Sequence, residues 1–507
     1  MPFFCKDRAS RVTSLALPAA LGAFVDMTQV LIDFIMVGFL EVAATAAIGV
    51  ALQFTGLFYV LMGVFYIGSN ALMSRFFGAK EPENAARVFT TFTIAVLILS
   101  VPMFAAMSAF AAAPFALMES DLRVTELGAS YLFALSFALP AMMLNQIAFS
   151  LFSAAADIKR PLVIKIYCNI INVVLSYILI FGFEPLGIAA FGVAGAAAAT
   201  AIAFYLESLG YLFFILIKKR PIALLTSRAV KTAATTKGLA LWKPTKFAAA
   251  LNSAVTPQAA TASPRANFAA LRGGNKAFRA VKAASCARNV FFDLDLLIRG
   301  LKVGFPAGLE RLLLFGSFLA FMRIISDFGT EVMAGYQVGL RVESIAFMPG
   351  IGFTIAAMSL TGRALGEGNP SEAEKDALFT AFLASVCMGI AGVFMVIFAA
   401  PLATIFTRDL AAIDAASGYL ICVGFSQIPL GISFVLSGAL RGAGDTKTSL
   451  IVNFLSMWIF RVLPAFALAL LFENIWLIWL VTLFETILRG LWLWIIFKRG
   501  KWKKIKV

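Results

Sequence analysis

The chain has 507 residues, 61% of them hydrophobic and 14% charged, with 50 Phe and 7 Trp; ordinary soluble domains are about 45–50% apolar and about 25% charged. One water-solvated core cannot hide that much apolar surface, so a soluble enzyme is excluded and most of the chain has lipid as its solvent. The net charge of +15 would suggest nucleic acid in a soluble protein, but in a membrane chain it has to be read by position.

Apolar runs of the roughly 20 residues a spanning helix needs predict twelve helices, an all-α polytopic membrane protein. The runs lie at about 12–40, 44–73, 88–112, 127–153, 162–183, 187–217, 298–326, 332–361, 377–400, 416–438, 448–472 and 474–497. Run 1 follows Lys6, Arg8 and Arg11 but is too long for a signal peptide and lacks a small-residue cleavage site, so it is read as a retained helix. Within it Asp26, Gln29 and Asp33 stand at i, i+3 and i+7, one narrow helical stripe. An acid at mid-membrane costs roughly 2.5–3.5 kcal/mol on insertion scales, so the stripe faces protein or water. There a carboxyl can exchange a proton across a gradient or, ionised among other oxygens, hold Na⁺; the plainer reading is a polar residue that ties helices together. Pro18 removes a backbone hydrogen bond and favours a kink, which makes it a candidate hinge for the Asp33 half of the helix.

Run 5 offers Asn169, Asn172 and Ser176, the last two adjacent on one face, and run 6 places Thr200 after the small residues 195–199. These supply uncharged ligand oxygens or, equally, packing contacts. From Lys218 to Arg288 there are fourteen Lys or Arg and no Asp or Glu. This stretch reads as a solvated cytoplasmic linker at 218–297 whose charge fixes topology, or as a patch for anionic lipid or nucleic acid, with Ala266–Ala284 as a candidate surface helix. The flanking lobes are then 1–217 and 298–507. In run 7, Glu310 sits four residues after Pro306, near the helix start and directly before Arg311: a partnered interfacial acid, or a second proton site. Gly350 and Gly352 beside Pro349 in run 8 signal local flexibility or tight packing.

Basic residues gather at the N-terminus, after runs 2, 4, 8 and 10 (Arg441 and Lys447 after the last) and at the C-terminus, while the alternate loops carry Glu41, Glu119, Asp121, Glu184, Glu331, Asp409 and Glu473. The positive-inside rule therefore places both termini in the cytoplasm. At a fixed offset of 288 residues Pro18 meets Pro306, Arg75 meets Arg363, Gly78 meets Gly366, Pro82 meets Pro370 and Asp157 meets Asp445. The second six helices thus read as a copy of the first, related by a pseudo-two-fold axis along the membrane normal, a plan in which two lobes flank a central cavity. Five cysteines without CxxC spacing give no disulfide framework or zinc site, and the chain has no His. With no Walker A loop, GxSxG or HExxH motif, no cofactor and no direct use of ATP is expected; an ion gradient fits better.

The stretches "LIDFIMVGFLEVAATAAIGVA" (31–51), "NVVLSYILIFGFEPLGIAAFGVAGAAAAT" (172–200), "AGYQVGLRVESIAFMPGIGFTIAAMSLTGRALGEG" (334–368) and "LSGALRGAGDTKTSLIVN" (436–453) resemble the multidrug and toxic compound extrusion (MATE) family. The resemblance covers both lobes. It implies a two-lobed antiporter, monomeric in the inner membrane, that expels amphipathic, often cationic compounds in exchange for H⁺ or Na⁺. By position, Asp33 corresponds to the family's helix 1 carboxylate, Asn172 and Thr200 to its neighbours, and Pro18 to the proline where that helix bends. Ser176 stands where one branch carries a second Asp, and Leu314 and Leu430 where another branch is acidic. The chain is thus most similar to the branch of DNA-damage-inducible protein F, which makes H⁺ the expected coupling ion, with Asp26 as a candidate substitute for the missing acid. Two alternatives are a lipid-linked precursor flippase, which needs several cavity Arg or Lys where the predicted spans offer little beyond Arg323, Arg341 and Arg461, and a membrane scaffold acting through the basic linker.

Overall fold

The computed structural model describes residues 5–217, 292–472 and 474–505. The basic stretch 218–288 with its Ala266–Ala284 segment, Cys286 and Glu473 lie outside the described residues.

Long apolar runs without water to hydrogen-bond the backbone leave the α-helix as the way to satisfy every amide within one segment. The described chain is accordingly helical, apart from short turns and one isolated bridge between Phe183 and Ile188. The first lobe is built from α1 (Lys6–Gly38), α2 (Val42–Gly78), α3 (Pro82–Ala109), α4 (Leu122–Ser136 with Leu139–Ala154), α5 (Lys159–Phe181) and α6 (Gly192–Ile217). The second contains α7 (Leu294–Ser326), α8 (Thr330–Ala346 with Met348–Gly366), α9 (Pro370–Ile397), α10 (Leu410–Gly442), α11 (Thr446–Leu471) and α12 (Ile475–Arg499). Among the described residues nine helices are long and apolar enough to cross a membrane, and the bent pairs α4 and α8 bring the number to eleven. The remaining rod, α7, is long enough at 33 residues but carries Asp295, Arg299, Lys302, Glu310, Arg311 and Arg323. Its N-terminus is fixed by Asp293, whose side chain accepts from the amides of Asp295 and Leu296.

The bends have identifiable causes. α4 turns by 51° just before Pro140 and α8 by 44° just before Pro349, where the missing amide and the ring break the helical ladder. Gly350 packs against Phe434 and Met388, and Gly352 against Ala16 and Ala20 of α1, so these glycines serve close packing. α1, by contrast, runs as one helix through Pro18.

The repeat reappears in backbone geometry. Lys80 (φ 60°) and Gly368 (φ 73°) occupy left-handed turns before α3 and α9, and Ala156 (φ 61°) and Gly444 (φ 84°) do so before α5 and α11; each pair is again 288 residues apart. The lobes meet through α2, α7, α8 and α1 at the end that carries both termini. There Gly78 abuts the Arg363 backbone while Gly366 abuts the Arg75 backbone. Arg75 donates to the Ala443 carbonyl at 2.7 Å and Arg363 to the Ala155 carbonyl at 3.3 Å, so the contact is reciprocal. Fully buried Arg8 adds an interlobe ion pair, with Nη2 2.6 Å from Glu372 and Nε 2.7 Å from Asp376. Further in, Gly304 of α7 lies flat against the Val64 carbonyl of α2.

Gly304→Ala should therefore separate α7 from α2 and lower the thermal midpoint of the detergent-purified protein, an overpacking cost of about 1–3 kcal/mol. Gly56→Ala, which meets nothing within 4 Å, should leave the midpoint unchanged or slightly raised.

Candidate functional site

Where the lobes part, they enclose a cavity of about 700 Å³ lined from both sides. Pro18, Asp26, Gln29 and Asp33 of α1 all face it. The predicted stripe therefore points away from lipid, as the cost of a lipid-facing acid requires.

Four of the residues singled out by sequence come together here, Asp33 and Thr200 on the cavity wall and Ser176 and Asn172 behind it. The Asp33 carboxylate accepts from Ser176 Oγ of α5 at 2.8 Å and from Thr200 Oγ1 of α6 at 3.3 Å, and Asn172 Nδ2 donates to Thr200 Oγ1 at 3.4 Å. Ser176 and Asn172 are fully buried, and Asn172 Oδ1 has no partner. Gly195 of α6, pressed against the Leu179 carbonyl, lets α6 approach α5 closely enough for this bonding. Among the described residues no cation touches Asp33.

Asp26 belongs to a different constellation. Lys165 of α5 bonds to its carboxylate and lies over the Phe149 ring, 5.6 Å from the centroid. Nearby, Glu207 of α6 is buried, accepting from Tyr211 Oη at 2.9 Å and Asn145 Nδ2 at 3.1 Å. Lys165 and Glu207 were not among the predicted site residues. Each is a single charge inside a long apolar run, and by the mid-membrane cost applied to Asp33 each already signals a functional or paired group.

The opposite wall comes from the second lobe. Glu310 lies midway along α7, not near its start, because the helix begins at Leu294. Its partner is not its neighbour Arg311 but Arg441 of α10 at 2.6 Å, joined by Asn453 at 2.5 Å and Ser449 at 3.2 Å. Arg441, expected in a loop, stands in the last turn of α10. Deeper, Glu485 of α12 pairs with Arg461 at 2.7 Å and Arg489 at 3.3 Å, and Arg461 projects from a π-helical stretch, Ser456–Val462, that interrupts α11. The arginines on the cavity wall are thus Arg311, Arg441 and Arg489, the first and last of which lie within predicted runs 7 and 12, while Arg323, Arg341 and Arg461 do not line it. Arg323 instead pairs with Asp327 at the exposed end of α7. Cys5, Cys168, Cys387 and Cys422 are free thiols, and the described residues contain no group of three His, Cys, Asp or Glu able to hold a metal.

The MatE family profile matches residues 18–178 and again 306–467, one copy in each lobe. A protein of Thermotoga maritima named "Probable multidrug resistance protein NorM" is 27% identical over 352 residues, 69% of this chain and 62% of its own length. A protein of the same name from Pasteurella multocida is 24% identical over 92% of this chain and 87% of its own. Among solved structures, a MOP superfamily transporter from Pyrococcus furiosus, described as having a binding pocket of reverse polarity, superposes with a TM-score of 0.79 at 19% identity, covering 98% of this chain and 97% of that one. An outward-facing multidrug resistance MATE family transporter of the MOP superfamily gives 0.78 at 20% identity, with 97% of each chain covered.

The buried Glu310–Arg441 pair makes its own prediction. Arg441→Met alone leaves an uncompensated carboxylate and should cost about 3–5 kcal/mol, whereas Glu310→Gln with Arg441→Met should recover most of it. Thermal unfolding of the wild type and the two purified variants checks this.

Proposed function

The chain belongs to the MatE family, and on that premise we propose that it exports amphipathic, often cationic organic compounds in exchange for H⁺, with Asp33 as the exchanging group. The observation that carries the reading is that Asp33 faces the cavity bonded to hydroxyls and to no cation. Asp26 and Glu310, by contrast, are each ion-paired, with Lys165 and Arg441. A Ser or Thr hydroxyl donates to a carboxylate and, rotated, accepts from a carboxylic acid. Both protonation states of Asp33 are thus satisfied without rebuilding the site. Ser176 in place of a second acid leaves a single negative charge in the Asp33 cluster, which favours H⁺ over Na⁺.

Coupling requires that proton and substrate exclude one another at linked sites. The cavity joins Asp33 to the remaining wall, so a bound cation near Asp33 competes with its proton. The reciprocal seal at the termini-bearing end gives the lobes a fulcrum for alternating access. In this reading the protein is a monomeric transporter of the cytoplasmic membrane with both termini inside, and Pro18 supplies the flexible point of α1. The flippase alternative gains Arg311, Arg441 and Arg489 on the cavity wall, but Arg441 is paired with Glu310 and Arg489 shares Glu485 with Arg461, which leaves Arg311 as the one of the three without an ionic partner among the described residues.

Reconstitution into proteoliposomes with separately imposed pH and Na⁺ gradients tests the proposal. Wild type should export a fluorescent organic cation under the pH gradient, and Asp33→Asn should fold normally and lose gradient-driven export. Full pH-driven export by that variant, or drive by Na⁺ alone in wild type, would overturn the assignment.

A further inference from the structure

The two cavity walls differ once their ion pairs are removed from consideration. On the first wall Asp26 is held by Lys165, leaving Asp33 and Glu207 bonded to neutral donors. On the second, Arg441 is held by Glu310, and Glu485 is shared between Arg461 and Arg489. Arg311 is left over: it is exposed to the cavity and has no hydrogen bond or ion pair among the described residues. Glu310, beside it in sequence, takes its bonds from Arg441, Ser449 and Asn453 on Oε1 and leaves Oε2 without a partner, and no hydrogen bond or ion pair joins it to Arg311.

The position of Arg311 is also shaped for it. A Cβ added at Gly63 of α2 would come within 2.9 Å of Arg311 Nη1 and 3.3 Å of Cζ. The guanidinium thus lies against a bare stretch of the facing helix, in a slot that a large side chain, though not a methyl, would close. Leu314, one turn further along α7, and Tyr66, Phe149 and Met358 line the same cavity and present apolar surface. An unpaired guanidinium at membrane depth is expensive to maintain and marks a function by default. Its planar fork matches a carboxylate or phosphate in two parallel bonds. About 700 Å³ is the size of a small-molecule site.

We propose that Arg311 is an anion-binding subsite on the second-lobe wall, so that the compounds held in the cavity include small amphiphiles with one carboxylate or phosphate group. This rests on reading the cavity as the substrate chamber. The anionic end sits at Arg311, the apolar body lies against Leu314 and the edges of Tyr66 and Phe149, and any cationic end faces Asp33 and Glu207.

The test uses the full-length protein in detergent and two dansyl probes of matched size, one ending in a carboxylate (N-dansyl-6-aminohexanoate) and one in an amine (dansylcadaverine), with binding read by fluorescence titration. Arg311→Gln should weaken the carboxylate probe about tenfold, the size expected for one charge-assisted contact, and leave the amine probe unchanged or tighter. Arg311→Lys should restore part of the loss, and Gly63→Leu, which closes the slot, should resemble Arg311→Gln. Equal weakening of both probes, no change in either, or no saturable binding of the carboxylate probe to wild type would overturn the subsite. So would preference for dioctanoyl phosphatidate over that probe, which would make lipid the occupant. Proteoliposome export by Asp33→Asn separates the two ideas: persistent pH-driven export removes the coupling assignment while leaving a probe-selective Arg311 effect intact.

Discussion

Two helices from different lobes can run against each other at backbone distance only where side chains are absent, and the molecule is organised around one such meeting. Gly78 on α2 rests on the Arg363 backbone of α8, and Gly366 on α8 rests on the Arg75 backbone of α2. The two arginines turn this contact into a clasp, each reaching across to a carbonyl that ends a helix of the other lobe, Ala443 or Ala155. Helix-end carbonyls lack intrahelical partners, so the clasp satisfies groups that would otherwise be orphaned. With Arg8 between Glu372 and Asp376 beside it, this end is closed by backbone and charge together. Everything else follows from the lobes being joined here and leaving between them the cavity that both line.

Within that space the charged groups divide by how completely they are matched. Glu485 between Arg461 and Arg489, and Glu310 among Arg441, Asn453 and Ser449, are buried and multiply bonded. Such pairs repay their desolvation only with good geometry and fix one arrangement of helices. Asp33 differs because its partners are hydroxyls that serve either charge state. The matched pairs hold the scaffold still, and the unmatched groups remain available to a proton or a ligand.

Much of this was legible in the sequence for reasons that can be named. Helical spacing put Asp26, Gln29 and Asp33 on one stripe and Asn172 beside Ser176, and hydrophobicity and the 288-residue offset announced two related halves. Local rules failed where long-range pairing decides. Glu310 finds Arg441 across 131 residues, which no spacing on α7 reveals, and the adjacent Arg311 was the natural but mistaken partner. Arg441 looked like a loop residue because the apolar run ends before it, yet α10 continues to Gly442, its last turn held by packing and by the carbonyl contact from Arg75 next door. Lys165 and Glu207 were passed over because each is a lone charge diluted by apolar neighbours, although only a built-in partner or a cavity makes such a residue tolerable.

The clasp has the form of an isologous interface: equivalent positions on the two halves touch each other's backbone and cap each other's helix, as in a dimer with a two-fold axis. Two identical six-helix chains would meet every one of these contacts twice. Joining the halves into one polypeptide removes the need for identity anywhere outside the clasp. That freedom is visible in the turns, where Lys80 and Ala156 in one half occupy the left-handed conformation that Gly368 and Gly444 adopt without strain in the other. It is visible again across the chamber, where one half carries Asp33 and Glu207 bonded to neutral donors and the other carries Arg311 with no bonded partner among the described residues: an asymmetry that two identical chains, obliged to place the same residue on both faces, would cancel.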